Sequence, residues 1–381
     1  MKVNTEVMNI DGNDGCDFDE FYAVATDSSG NIICVGVTKA EGADDWDTLL
    51  VKYDSNLNML ARKVYSGTNL DEFRGVTTDS SGNVICVGWI DSEGAGDHDA
   101  LVVKYDSDLN ILAKMIYGGT GTDVFHGVTI DSSDNIICTG QTTSEGAGSF
   151  DALVVKYDSD LNILAKKIYG GSGTDAFYTV ATDSSDNIIC AGYIHSERVD
   201  YDVALVVKFD TNLNILAKMI YDGTDWFDTV ATDANDNVIC VGRTDSEGAG
   251  NWDALVVKYD SNLNILAKKI YSGTDIDWFN GVAIDSNDNV ICAGRTNNEG
   301  SGNRDTLVVK YDTNLNILAK KVYSATGIDR LYEVVTDAND NIICVGRTDS
   351  EGAGDYDALV VKFDTDLNLL TRKIYDGAGN Y

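Results

Sequence analysis

Apolar residues in this chain come in short runs, each closed by Gly, Asn, Asp or Ser, and no stretch repeats at helical spacing. Phe73 to Tyr117 shows the pattern. "FRGVTTD" ends in "DSSGN". "NVICVG" follows and runs into "WIDSEGAGDHD". Then come "ALVVKYD", the turn "SDLN" and "ILAKMIY". Runs this short and rich in Val, Ile, Thr and Tyr predict strands, and this stretch predicts four. "DSSGN" and its variants "DSSDN" and "DANDN" put Gly, Asn or Asp where a tight hairpin needs positive φ.

The same four-strand sentence recurs. Cys34, Cys86, Cys138, Cys190, Cys240, Cys292 and Cys344 mark it, spaced by 52 residues except for one step of 50. Units begin near Phe21, Phe73, Phe125, Phe177, Phe227, Phe279 and Leu331. Four antiparallel strands per unit of roughly 50 residues is the pattern of a propeller blade. The expectation is therefore an all-β, seven-bladed β-propeller spanning 19–381 as one domain. The second and third strands are apolar on both faces, as strands covered on both sides by neighbouring blades must be. The fourth alternates with Lys, which suits an exposed outer edge. Residues 1–18 precede the first unit and are expected either to add an edge strand to the last blade, through a stretch such as Val3 to Ile10, or to fray.

Two motifs carry a family resemblance. "TDSSGNVICVG" and "DALVVKYDSDLNILAKKIYGGSGTD" resemble the bacterial β-propeller repeat family called SBBP. The likeness runs over nearly all of the chain after about residue 19. It implies the propeller fold and an exported or surface role, and it implies no activity. The residues pull the other way on location. No signal peptide is visible at the start, and unpaired thiols suit a reducing compartment. The expected address is cytoplasmic, with secreted or cell surface as the alternative.

Composition narrows the partners. The formal net charge is −34, so nucleic acid and anionic membranes are not expected. Proline is absent, so turns rely on Gly, Asn and Asp. Seven of the eight cysteines share one strand position, too far apart for disulfides, and are expected to be buried and reduced. Cys16 has no repeat equivalent.

Differences among the copies point to a site. In an up-and-down blade, the first-to-second and third-to-fourth turns share one end, and their sequences barely change. The other end varies. After the "IC-x-G" glycine come Val37, Trp89, Gln141, Tyr193, Arg243, Arg295 and Arg347. Before the third strand come Trp46, His98, Phe150, Tyr201, Trp252, Arg304 and Tyr356. Just after the first-strand Phe or Leu come Tyr22, Arg74, His126, Tyr178, Asp228, Asn280 and Tyr332. Just before it come Glu20, Glu72, Val124, Ala176, Trp226, Trp278 and Arg330. All five Trp fall in this set. Flat rings and forked donors are binding chemistry. Arg243, Arg295 and Arg347 occupy one position in three consecutive units, either as an open basic patch or paired with the chain's own acids.

These residues predict a non-catalytic binding module, expected to be a monomer, that recognises a carbohydrate or anionic small ligand. The candidate site is Trp89, Arg243, Arg295, Arg347, Trp252, Trp278, Tyr193 and His98. One alternative is a protein–protein scaffold. Another is a glycosidase or lyase using acids at the channel mouth such as Asp228 and Glu333. No catalytic or cofactor motif appears, and no cofactor or metal is assigned. One repeated feature stays open. Asp19, Asp71, Asp123, Asp175, Asp225, Asp277 and Asp329 either ring a cation or cap their own connections.

Overall fold

Each unit reverses its chain with an Asp–Asn clasp. In the first turn of unit 1, Asp27 Oδ1 accepts hydrogen bonds from the Ser29 and Asn31 amides, both at 2.9 Å, and Oδ2 accepts Asn31 Nδ2 at 2.8 Å. The residue at positive φ is Gly30, Gly82, or in later units Asp134, Asp186, Asp236, Asp288 and Asp340, as the turn sequences predict. The second turn repeats the clasp with Asp54 and Asn58, but its positive-φ residue is Leu57, repeated as Leu109, Leu161, Leu213, Leu263, Leu315 and Leu367. A left-handed leucine costs about 1–2 kcal/mol. Its side chain is buried in every copy, which returns a similar amount.

The computed structural model describes residues 18–39, 46–65, 69–196, 201–221, 223, 225–249, 251–300, 304–323, 327–351 and 356–375. They form seven antiparallel sheets of four strands, each in chain order. This is a seven-bladed β-propeller, with no helix among the described residues. Blade 1 comprises Asp19–Thr26, Ile32–Thr38, Asp47–Tyr53 and Met59–Tyr65. The second and third strands are almost wholly buried in every blade, whereas the fourth stays half exposed.

The core consists of seven clusters, each shared by two neighbouring blades. Blade 6 sets Phe279, Val290, Cys292 and Leu307 against Ile239, Val241 and Val256 of blade 5. Phe21, Ile32, Cys34 and Leu49 of blade 1 pack in the same way on Ile343, Val345 and Val360 of blade 7. The repeated cysteines sit in these seams, free and buried, and burial pushes each thiol above its usual range.

A second device joins the blades at the uniform end. The Lys of each "VVKY" run is buried and pairs with the Asp of its own first turn, as Lys258 Nζ does with Asp233 Oδ2 at 2.8 Å. It also donates to a turn carbonyl of the next blade, here Thr313 O at 3.2 Å. Lys52, Lys104, Lys156, Lys208, Lys310 and Lys362 do the same. Lys362 reaches Ser55 O at 2.9 Å and so ties blade 7 to blade 1. The turns at this end are uniform because they hold these seven staples. At the opposite end, Asp19 N donates to Tyr356 O at 2.8 Å, beside a parallel bridge between Phe18 and Tyr356. Every blade is thus complete in its own consecutive strands. Residues 1–17, which include Cys16 and the expected edge strand, lie outside the described residues.

Candidate ligand site in the central channel

The first strands line the channel: Asp19–Thr26, Asp71–Thr78, Asp123–Ile130, Ala176–Thr182, Asp225–Thr232, Asp277–Ile284 and Asp329–Thr336. Each carries a bulge after its Phe or Leu, so that one residue drops out of the ladder. Those residues are Tyr22, Arg74, His126, Tyr178, Asp228, Asn280 and Tyr332. A bulge re-aims a side chain, and here six of the seven point chemistry other than a plain amide at the channel.

The glycine of "IC-x-G" makes the bulge possible. At Gly242, a Cβ would collide with the Trp226 carbonyl oxygen, and the same collision recurs at Gly36, Gly88, Gly140, Gly192, Gly294 and Gly346. Only a residue without Cβ lets the bulged strand come so close. A glycine that reads as a strand terminator therefore shapes the site.

The channel holds a cavity of about 590 Å³, walled by the first strands and by Arg243. One arc of its mouth is aromatic and cationic. The Arg243 guanidinium lies 3.7 Å from the Trp278 ring centroid, 4.4 Å from Trp226 and 4.6 Å from Trp252. Arg295 lies 4.9 Å and Arg330 4.7 Å from Trp278. Tyr193 stacks on Trp226 at 5.2 Å and 14°. Asp228 Oδ2 accepts Trp278 Nε1 at 2.5 Å, which fixes the indole. Arg243 and Arg295 make no ion pair among the described residues, and their buried Nε atoms have no hydrogen-bond partner. Burial pulls both guanidinium groups below their usual range.

The other arc is ion-paired, although Arg347 Nε and His126 Nε2 are also buried without a hydrogen-bond partner. Arg347 pairs with Glu20 and lies 4.2 Å from the Tyr356 centroid. Tyr332 donates to Glu20 at 3.1 Å. Arg74 pairs with Glu72 and covers Tyr22 at 4.9 Å. His126 lies between, its ring 5.1 Å from Tyr178. Burial, then the Arg74 charge, lowers it to about 3, so it is neutral at ordinary pH. Two acids facing the cavity move the opposite way. Burial raises Asp228 to about 6, against its hydrogen bond from Trp278. Burial raises Glu333 to about 8.

Of the eight candidates, Arg243, Arg295, Trp252, Trp278 and Tyr193 converge on the first arc. Arg347 is occupied by Glu20, so the patch reaches the cavity at Arg243, with Arg295 buried behind it, and is closed at Arg347. Trp89 and His98 pack against each other in blade 2, ring centroids 4.2 Å apart and planes tilted by 51°, away from that arc. Trp226, Arg330 and the bulge residues belong to the site although the candidate set omits them. Their variation at equivalent positions was the available signal. The repeated Asp residues turn into their connections. Asp175 accepts Gly171 N at 2.8 Å and His195 N at 2.9 Å, and Asp123 accepts Gly119 N at 3.0 Å and Ser144 Oγ at 2.6 Å.

No protein-family model and no curated protein matches this chain. Solved structures do. A catalytically inactive virginiamycin B lyase from Staphylococcus aureus with quinupristin is similar at TM-score 0.56 and 10% identity, over 93% of this chain and 97% of that one. The β-propeller domain of the Trilobed protease from Pyrococcus furiosus, which has an open velcro topology, is similar at TM-score 0.55 and 9% identity, over 96% and 99%. The Neurospora crassa Pan2 WD40 domain is similar at TM-score 0.55 and 10% identity, over 87% and 93%. These neighbours are a lyase, the propeller domain of a protease and a WD40 domain, and what they share with this chain is the β-propeller fold.

Proposed function

We propose that this chain is an SBBP-type propeller acting as a non-catalytic binding module, whose channel mouth takes an anionic carbohydrate. One observation carries the reading. Arg243 is held among three indoles with no ion pair among the described residues, at the edge of an open cavity, in a chain of net charge −34. Stacking orients a guanidinium while leaving its in-plane donors for a forked contact with phosphate or carboxylate. Indole faces suit the apolar face of a sugar ring. The overall field repels anions, so affinity rests on short-range hydrogen bonds, and added salt weakens it little.

Titration calorimetry with glucose 6-phosphate and with glucuronate tests this. Arg243→Ala removes a charged forked contact worth roughly 2 kcal/mol, or about thirtyfold in affinity. Arg243→Ala together with Arg295→Ala is expected to abolish binding. Unchanged affinity in the double variant, with the fold intact by circular dichroism, would refute the reading. Glycosidase or lyase chemistry is the second reading, supported by the raised acids Asp228 and Glu333. Recovery of an intact oligosaccharide after prolonged incubation favours binding, and cleaved product favours catalysis.

A further inference from the structure

Deep in the cavity lies one group that the cationic arc does not use. In six blades the residue after the bulge is small: Ala23, Gly75, Gly127, Thr179, Thr229 and Gly281. In the seventh it is Glu333, at the same register against the second strand. Its carboxyl accepts a hydrogen bond from Val334 N of its own strand at 3.1 Å. Among the described residues no Lys, Arg or His pairs with it, and beyond it the cavity wall is apolar, formed by Val24, Val76, Val282 and Val334.

We infer that the ligand carries an amine as well as an anion, the anion resting on Arg243 and Arg330 and the amine on the Glu333 carboxyl, so that the site takes an anionic amino sugar. This rests on the binding reading above. Arg330 and Glu333 lie three residues apart, and the bulge at Tyr332 brings both to the cavity wall. Their backbones are about 10 Å apart along the strand, which suits a hexose phosphate held between two side chains. The volume of about 590 Å³ falls within the usual range for small-molecule sites.

An ammonium group explains an acid here better than a hydroxyl does. Thr179 and Thr229 place neutral hydroxyls at the same level without burying a charge, Thr229 Oγ1 donating to Asn280 O and Thr179 Oγ1 accepting Val230 N. A carboxyl becomes useful when a cation arrives to pair with it in a desolvated setting. Burial holds Glu333 protonated at neutral pH, at about 8. An arriving ammonium ionises it, leaving a carboxylate–ammonium pair and passing the carboxyl proton to the buffer.

The test uses three probes on the full chain at neutral pH: glucose 6-phosphate, glucosamine 6-phosphate and N-acetylglucosamine 6-phosphate. Glucosamine 6-phosphate is expected to bind at least tenfold more tightly than the other two. Calorimetry in two buffers of different ionisation heat is expected to show close to one proton released for it alone. Glu333→Gln is expected to equalise the three probes. If that variant fails to fold, Glu333→Thr, the residue two other blades carry, replaces it. Equal affinities for all three probes in the native protein overturn this inference and leave the binding reading standing. A persisting amine preference in the variant also overturns it. Failure of all three probes to bind overturns both.

Discussion

Replacing Lys258 by Met tests how the ring is held together. Its ammonium is 2.8 Å from Asp233 Oδ2, with side-chain exposures of 7% and 1%, and it donates to Thr313 O in the next blade. Met preserves the length of the side chain and removes the charge. Breaking one side of a buried pair costs about 3–5 kcal/mol, and losing the inter-blade hydrogen bond about 1 more. Asp233 keeps hydrogen bonds from Asn235 N, Asn237 N and Asn237 Nδ2, which offset part of this. The expected loss is about 3–4 kcal/mol, or roughly 4–5 °C for a chain of this size. Urea unfolding, followed by far-ultraviolet circular dichroism, measures it. Lys269→Met, on the exposed outer strand, is the control and should stay within about 0.5 kcal/mol. Adding Asp233→Asn to Lys258→Met should recover part of the loss, since it removes the orphaned charge. Burial alone would raise Asp233, but its bonds from Lys258 and Asn237 outweigh burial and hold it below the usual carboxylate value. The pair's contribution is therefore full above the unfolded value near 3.8 and is lost as pH falls through the folded one. A Lys258→Met protein as stable as the control would refute the staple.

Two more perturbations follow from asymmetries in the ring. Glu333 titrates near 8 when folded, against 4.5 unfolded, so the folded state holds the extra proton in between and stability falls as pH rises; between pH 6.5 and 7.5 this amounts to about 1 kcal/mol. Glu333→Gln should flatten that slope in urea midpoints, and identical slopes for the two proteins would count against a buried neutral acid. In later blades the positive-φ Asp of the first turn also accepts the neighbouring blade's serine, as Asp134 accepts Ser80 N at 3.0 Å and Asp340 accepts Ser286 N at 2.9 Å. Gly82 holds that place in blade 2 at φ 78°, with open space where a Cβ would go, so Gly82→Asp should link to Ser28 through two hydrogen bonds of about 1 kcal/mol each, which exceed the cost of about 1 kcal/mol for a left-handed Asp, for a net gain of up to about 1 kcal/mol. A lower melting temperature would show that the link does not form.

The blade count and the strand order were legible in the repeat, as was the end of the ring where the variable side chains gather. A four-stranded unit with apolar faces has to bury them against copies of itself, so period and alternation alone determine a propeller. The variable positions marked the channel mouth for the same reason, since residues that pack between blades repeat and residues that face the cavity are free to differ. Other assignments needed contacts with residues outside the local run, in a neighbouring strand or in another blade. The lysine in "VVKY" reads as a polar interruption of an apolar strand until the next blade's Thr313 carbonyl is seen to receive it. The glycine in "IC-x-G" reads as the end of a strand until the Trp226 carbonyl is seen against Gly242. Arg243, Arg295 and Arg347 are equivalent in sequence, yet Arg347 alone meets Glu20, because ring closure sets blade 1 beside blade 7. The sequence determined which residues repeat. The curvature of the ring decided which of the exceptions meet, because it brings side chains from separate blades to one axis, and no local pattern encodes that convergence.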